Sequence, residues 1–573
     1  MPLKDVELML STLAEIQNLH INTCKQFNNH DYWGIFECDL IIKEDCSTPI
    51  LICIPNNWTT ELIDIYIKNY NNFNFIPHVD VFGKICLFKT EGLLIEHNLV
   101  GLVEQSIERA KKILLDGLTD SNKKDFIDEF ESYWIQLPQE KSCYFVLPKD
   151  EKNAVIKFTF GKNKTKNNSK LFVCETQERL NQWNIDSGTF FNAAYFVLDT
   201  KDYIYPPDIR NKVSVDFLNK LLKLVPYNVA ASILKKLSTE KLIVFLLKQP
   251  DGTTKNYVGF YLTGNIIDNK ISFSFEKTNE VQPVYINILN KTFLMTRTNF
   301  SKFNLHEKRI LVIGCGSVGG YLINELEKSG YEKITIVDND KLRQENIFRH
   351  ILGLKYLTQY KSVALKDLIE KNIPETSLIT SVEKIENAIS NDEINLLDYD
   401  LIISATGNHN VNRWLNSYIY KHQISVPIIY AWNEVLGIGN HVAYFKYGNA
   451  GCYNCLFKKD DNLKPLYDRT AYCEPNQDIT QSIGGCADTY IPYGNSVSLR
   501  TVCMCLDLIQ DIFSGKTSEN LIISSKGNPQ YFIEQGYKVS NRYLKQTETV
   551  EIINGSDFIN KECGVCCSDL RNQ

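Results

Sequence analysis

No stretch of the chain approaches eighteen unbroken apolar residues, and the opening MPLKDVELML has no basic region leading into an apolar core and a small-residue cleavage site. We therefore expect a cytoplasmic protein with no membrane partner. Charge of one sign is also scarce: six excess negative charges over 573 residues recruit neither nucleic acid nor an anionic lipid surface. No internal repeat is apparent. The apolar share of 44% and the charged share of 23% are those of an ordinary globular chain, long enough for three or four domains. Cysteine is the exception, at 17. Spread over so long a chain, these thiols argue against a compact disulfide framework. In a reducing compartment, clustered cysteines point to metal and isolated ones to core packing or to nucleophiles.

The texture changes twice along the chain. Residues 1–120 read as an α+β domain: DVELMLSTLAEIQNLH has helical apolar spacing, WGIFECDLIIK and TPILICIP read as strands, and HNLVGLVEQSIERAKKILLDGL is a second amphipathic helix. Residues 121–300 form a strand-rich middle domain, with CYFVLP, AVIKFTF, LIVFLL, YVGFYL and KISFSF set among polar turns and no motif that carries chemistry. From 301 to 573, the buried-strand runs RILVIGCG, KITIVDND and DLIISATG alternate with helices such as YLINELEKSG, which predicts an α/β, doubly wound parallel sheet of Rossmann type.

In GCGSVGG, Gly314, Gly316 and Gly319 have G-x-G-x-x-G spacing between a strand and a helix. Glycine there permits a tight turn and lets backbone N–H groups approach a phosphate at the helix N-terminus. Asp338, at the tip of the next strand, stands where a ribose-binding carboxylate is expected, so a dinucleotide dehydrogenase and an ATP site fit equally well. VDNDKLRQENIFRH and QYKSVALK then add Asp340, Asn346, Arg349 and Lys361. Two cations and an amide converging on a glycine loop suit a triphosphate under attack at its α-phosphorus; a redox site has no such need. The series resembles the ThiF/MoeB and ubiquitin-activating enzyme superfamily, which adenylates the C-terminal glycine of a small protein. That resemblance implies ATP and Mg2+, with Gly316 and Gly319 against the nucleotide, Asp338 on the ribose, and Asn346, Arg349 and Lys361 on the phosphates. One position departs from it: SATGNHNVNRW puts Gly407 where that family usually has a magnesium-serving aspartate, which leaves Asp340 to share the metal work.

CYNC and CGVC supply Cys452, Cys455, Cys563 and Cys566, two C-x-x-C hooks able to close a tetrahedral site for structural Zn2+; adjacent Cys567 leaves the fourth ligand open. Between the hooks, Cys486 follows two glycines and precedes a loop-to-helix transition, where a thiol's pKa is lowered and attack on an acyl-adenylate is favoured. Its rival Cys473 sits beside Glu474, a charge that raises a thiol's pKa. Cys503 and Cys505, on the apolar helix that follows, are expected in the core.

One isolated thiol remains in the first domain. In IPHVDVFGKICL, Pro77, Val79, Asp80, Gly83, Ile85, Cys86 and Leu87 fall in register with the ubiquitin-conjugating enzymes, which this segment resembles, and the resemblance makes Cys86 an acyl carrier. The asparagine of that signature is His78 here and the preceding histidine is Ile76, so His78 is expected to donate to a tetrahedral intermediate or to act as a base. Conjugating-like, middle and activating domains in this order resemble the bacterial fused ubiquitin-activating/conjugating proteins of CBASS anti-phage systems. The resemblance implies a homodimer that joins the C-terminal glycine of a cGAS/DncV-like nucleotidyltransferase, or of another protein, to a target amine, through a thioester at Cys486 and then at Cys86. A sulfur-carrier adenylyltransferase, a dehydrogenase and a non-catalytic scaffold for such a partner are the rival readings.

Overall fold

Alternation decides the first sheet. In the computed structural model, strand His30–Lys43 buries Phe36, Cys38, Leu40 and Ile42, every second residue, on one face. The structure describes residues 2–89, 93–138, 141–161, 170–185, 187–238, 240–276, 280–298, 305–460, 463–482 and 489–567. The sheet is antiparallel, in the order Ile16–Ile21, His30–Lys43, Cys46–Pro55, Asp64–Ile67. Its apolar face packs on Val103, Ile107, Ala110 and Leu114 of helix Leu99–Leu118, spaced three and four apart as one helical face requires. Val6 and Leu10 of helix Pro2–Thr12 complete that core. The connection between strand Asp64–Ile67 and helix Leu99–Leu118 carries Cys86.

Two short helices, Asp125–Asp128 and Phe130–Trp134, lead into a closed seven-stranded barrel. Phe145, Phe158, Val173, Tyr195, Leu246 and Ile286 share one cluster and Phe245, Leu247, Phe260 and Leu262 another, the inside-outside alternation of a small, filled barrel. Phe126, Phe130, Tyr133 and Trp134 belong to that second cluster, and Phe75 and Val81, from the Cys86 connection, pack against it. The two domains expected at 1–120 and 121–300 therefore share a core. Residues 1–181 and 185–290 group as one unit, and 182–184 with 291–573 as another.

The second unit holds an eight-stranded sheet in the order Ile379–Ser381, Lys333–Val337, Arg309–Ile313, Leu401–Ser404, Ile428–Asn433, Gly439–Phe445, Leu521–Lys526, Val550–Asn554. The first five strands are parallel, as the sequence predicts, and the last three add antiparallel pairings. Helices Ser317–Lys328 and Asn495–Phe513 contribute to one core cluster and helix His409–Lys421 to the other, so the sheet is covered on both faces. Among the described residues no helix is long and apolar enough to cross a membrane.

Trp134 carries much of the shared core of the first unit. Its indole N–H donates to the Val284 carbonyl at 3.0 Å, and its ring meets Phe260 edge-on at 5.4 Å. Trp134→Ala is expected to cost about 3–5 kcal/mol. Hydrogen exchange in urea should show the amides of the barrel and of the Cys86 connection losing protection together, while the sheet around Arg309–Ile313 keeps its own.

Candidate functional site

Backbone sterics build the cleft of the second unit. Gly314 has φ +91°, and a Cβ on Gly319 would lie 1.9 Å from the Gly314 carbonyl oxygen, so strand and helix approach this closely only with glycine at both positions. Gly316 is different. A Cβ there would meet nothing within 4 Å, because the residue opens onto a cleft of about 470 Å³. Of the residues expected at the nucleotide, Gly314, Gly316, Asp338, Asp340, Asn346, Arg349 and Lys361 line this one cleft, while Gly319 stands behind its wall.

Asp338 accepts the Cys315 N–H at 2.5 Å and the Asp340 N–H at 2.7 Å; burial raises its pKa and the Lys361 charge opposes that rise. The Lys361 ammonium, 10% exposed, donates to Asp340 at 3.0 Å. The Arg349 guanidinium lies 5.4 Å from the centre of the Tyr493 ring, whose hydroxyl is 3.0 Å from that of Ser317. At Gly407, φ is +64° and, among the described residues, a Cβ would find nothing within 4 Å, so the position of the expected aspartate is open space.

Sequence reasoning missed other lining residues, among them His350, Glu383, Lys384 and Glu386. His350 donates from Nε2 to the Cys315 carbonyl at 2.6 Å and accepts the Leu352 N–H at Nδ1, 3.1 Å away; burial lowers its pKa to about 4. It braces the glycine loop as a neutral ring. Glu383 and Glu386, from the stretch after strand Ile379–Ser381, add carboxylates to the cleft. Position after a parallel strand is the signal that could have found them.

The four hook cysteines converge. Sulfur separations are 3.8 Å for Cys452 and Cys455, 3.7 Å for Cys452 and Cys563, and 3.3 Å for Cys455 and Cys566, with all four within 4.8 Å of one another. Tetrahedral thiolates on zinc sit roughly 3.8 Å apart, so the donor set fits a structural metal. Cys567 turns its thiol to the Asn560 carbonyl at 3.5 Å and stays outside the set.

Cys473 is buried, with its N–H donating to Glu434 at 2.8 Å, and burial followed by the Glu434 charge pushes its thiol up to about 12. Cys486 lies outside the described residues. Cys503, expected in the core, is exposed, whereas Cys505 is buried. Two residues turn a helix by roughly 200°, which puts the pair on opposite faces.

The other thiol belongs to the first unit. Cys86 is exposed, and its N–H donates to the His78 carbonyl at 2.8 Å. Asp80 shapes the intervening turn by accepting the Phe82 and Lys84 N–H groups at 2.9 and 2.8 Å. His78 is left-handed, with φ +63°; its N–H donates to the Tyr133 hydroxyl at 2.8 Å. Its ring nitrogens lie 2.9 Å from Asp125 (Nε2) and 3.2 Å from Glu129 (Nδ1). Hydrogen bonding to Glu129, then to Asp125, raises the pKa of His78 against a burial effect of opposite sign. Burial and then the Glu129 charge raise that of the Cys86 thiol. Neither ring nitrogen faces an open site in this arrangement.

Residues 299–522 match the ThiF family model and residues 34–143 the model of prokaryotic E2 family B. The chain thus joins a ThiF-type adenylation domain to a prokaryotic E2-like domain. It is 27% identical over 240 residues to the ATP-dependent ubiquitin transferase-like protein Cap2 of Pseudomonas aeruginosa, 41% of this chain and 42% of that protein. It is 26% identical over 156 residues to the adenylyltransferase and sulfurtransferase UBA4 of Yarrowia lipolytica, 27% of this chain and 38% of that one. The chain therefore spans about two fifths of the length of these curated relatives. A solved structure, E. coli MccB with ATP, matches with a TM-score of 0.32 and 19% identity over 46% of this chain and 67% of that one.

Two glycine substitutions separate fold from ligand. Gly319→Ala should destabilise the second unit by at least about 2 kcal/mol, since its Cβ must displace backbone. Gly316→Ala should leave thermal unfolding unchanged yet weaken nucleotide binding, read by calorimetric titration with ATP.

Proposed function

We propose that this chain uses ATP to adenylate a C-terminal carboxylate in the cleft around Gly316 and carries the acyl group as a thioester to Cys86 for transfer to an amine. The observation that carries this reading is the pairing, on one chain, of a cation-lined glycine-loop cleft with an exposed cysteine in an E2-like fold. Asp338 holds the ribose, and Asn346, Arg349 and Lys361 take the phosphates of the MgATP substrate, with Asp340 beside the metal. Attack of the carboxylate on the α-phosphorus expels pyrophosphate. A thiolate then displaces AMP, and Cys86 displaces that thiolate. For the first thiol we favour Cys486, because Cys473 is buried and held protonated by its surroundings.

The four hook cysteines would hold Zn2+ and tie the C-terminal segment to the sheet. From the sequence resemblance alone we propose that the acylated partner is a cGAS/DncV-like nucleotidyltransferase or another protein ending in glycine, that the setting is CBASS defence in the cytoplasm, and that the chain works as a homodimer; the name of its Cap2 relative supports only an ATP-dependent, ubiquitin-transferase-like chemistry. The UBA4 similarity supports a second reading, a sulfur-carrier adenylyltransferase that uses the second unit alone.

Non-reducing gels with ATP, Mg2+ and a partner ending in glycine distinguish the two readings. Thioester chemistry gives two thiol-sensitive adducts, one lost in Cys486→Ala and the other in Cys86→Ala. The sulfur-carrier reading leaves the Cys86→Ala protein fully active. Lys361→Ala should lower ATP–pyrophosphate exchange by about a hundredfold or more. Metal analysis should find one zinc per chain, lost in Cys563→Ser together with a fall in the melting temperature of the second unit.

A further inference from the structure

His78 uses every polar atom it has. Its N–H donates to the Tyr133 hydroxyl and its carbonyl accepts the Cys86 N–H, each at 2.8 Å; Nε2 meets Asp125 at 2.9 Å and Nδ1 meets Glu129 at 3.2 Å. Both ring nitrogens can donate only when the ring is an imidazolium; a neutral ring turns a lone pair toward one of the two carboxylates. The residue also holds φ +63°, a left-handed conformation that is uncommon outside glycine though less so for histidine.

The mount is substantial. Beyond the two carboxylates, the Val81 N–H donates to Gln136 at 3.1 Å, and the Phe75 ring meets Phe126 at 4.7 Å and Tyr133 at 5.9 Å. Two short helices thus grip the Cys86 loop on either side of His78.

We infer that His78 is a positioning residue for the Cys86 reaction: as an imidazolium clamped between Asp125 and Glu129, it fixes the loop that presents the thiol, and loss of its proton loosens that loop. The inference rests on the reading of Cys86 as an acyl carrier. It replaces the expectation that His78 itself donates to a tetrahedral intermediate.

The sign follows from linkage. His78 is raised above its ordinary 6.5, so the clamp is complete below that value and is lost as pH rises through the raised one. Asp125 and Glu129 are the charges that bear on His78; Asp80, Lys84 and Arg109 act with Glu129 on Cys86, and Lys89 acts on Glu129.

The test loads Cys86 of the full chain by exchange with a Gly-Gly-terminated peptide thioester of mercaptoethanesulfonate, with Cys86→Ala as the blank. Discharge to hydroxylamine is then timed from about pH 7 to about pH 9, a range over which hydroxylamine stays neutral and Lys and Arg stay charged. The nitrogen of hydroxylamine forms the C–N bond, the C–S electron pair leaves on Cys86, and the displaced proton passes to solvent. Wild type, corrected for uncatalysed discharge, should slow by about threefold or more as the clamp opens. His78→Asn, which tolerates the left-handed backbone, should be slow throughout and lose that pH break. His78→Lys, a cation that does not titrate in this range, should flatten the profile at a higher rate than His78→Asn. The Asp125→Asn, Glu129→Gln double variant should behave as His78→Asn does. Equal rates and profiles in wild type and His78→Asn, with Cys86 loading intact, overturn this inference alone. Absence of any Cys86-dependent loading in wild type overturns the acyl-carrier reading and this inference with it.

Discussion

The approach of helix Ser317–Lys328 to strand Arg309–Ile313 is the constraint on which the C-terminal unit depends. With 1.9 Å between a hypothetical Gly319 Cβ and the Gly314 oxygen, no other residue fits, and the reward is a helix N-terminus set directly behind the loop. The positive end of that helix and the loop N–H groups then define where anionic groups can rest. Everything else in the cleft is placed relative to that point: Asp338 by the Cys315 N–H, His350 by the Cys315 carbonyl, and Lys361 by Asp340. A Lys361 ammonium already held by one carboxylate is oriented before any phosphate arrives, which reduces the ordering cost of binding.

The first unit meets a different constraint. A nucleophile must be exposed to be reached, yet a loop without strand or helix partners moves, and displacement of a reacting atom by about 1 Å costs rate steeply. As the acyl carrier that we propose, Cys86 meets both demands. The Asp80 turn and the Ile85 N–H, which donates to the Ile65 carbonyl at 2.8 Å, fix the loop on the sheet side. The helices Asp125–Asp128 and Phe130–Trp134 fix it on the other, while the same helices pack into the barrel cluster. The barrel, with its filled interior, thereby backs the loop that carries Cys86.

Much of this was legible in the sequence, and what was not has physical reasons. Glycine spacing between a strand and a helix admits few structures, so the cleft residues were predictable. The two C-x-x-C pairs were equally plain, although adjacent Cys567 left the fourth ligand open. Barrel strands Leu171–Cys174, Ser187–Asp199 and Val281–Leu289 gave no clear signal. SGTFFNAAYFVLD, for example, mixes glycine and alanine into its apolar run, and KISFSF, which looks like a barrel strand, instead pairs as Phe273–Phe275 with Ile266–Asp268 outside it. The shared core was hidden because it is made by side chains from both sides of an expected boundary, Phe75 and Val81 with Phe126 and Trp134. The clamp on His78 was hidden for the same reason: its carboxylates come from a segment of two short helices whose sequence, DFIDEFESYW, reads as an ordinary acidic surface.

The surroundings of Cys86 fit the receiving role that we propose for it. An acyl group moves readily from a thiol that ionises easily to one that ionises less easily, since the better leaving group departs. Cys86, with its thiol raised by burial and by Glu129, is placed as a receiver in such an exchange. Cys473 shows the limit of that principle. Buried and beside Glu434, its thiol is pushed up to about 12, which counts against a part in the relay that we propose. Cys86, by contrast, is exposed, which admits a bulky acyl donor.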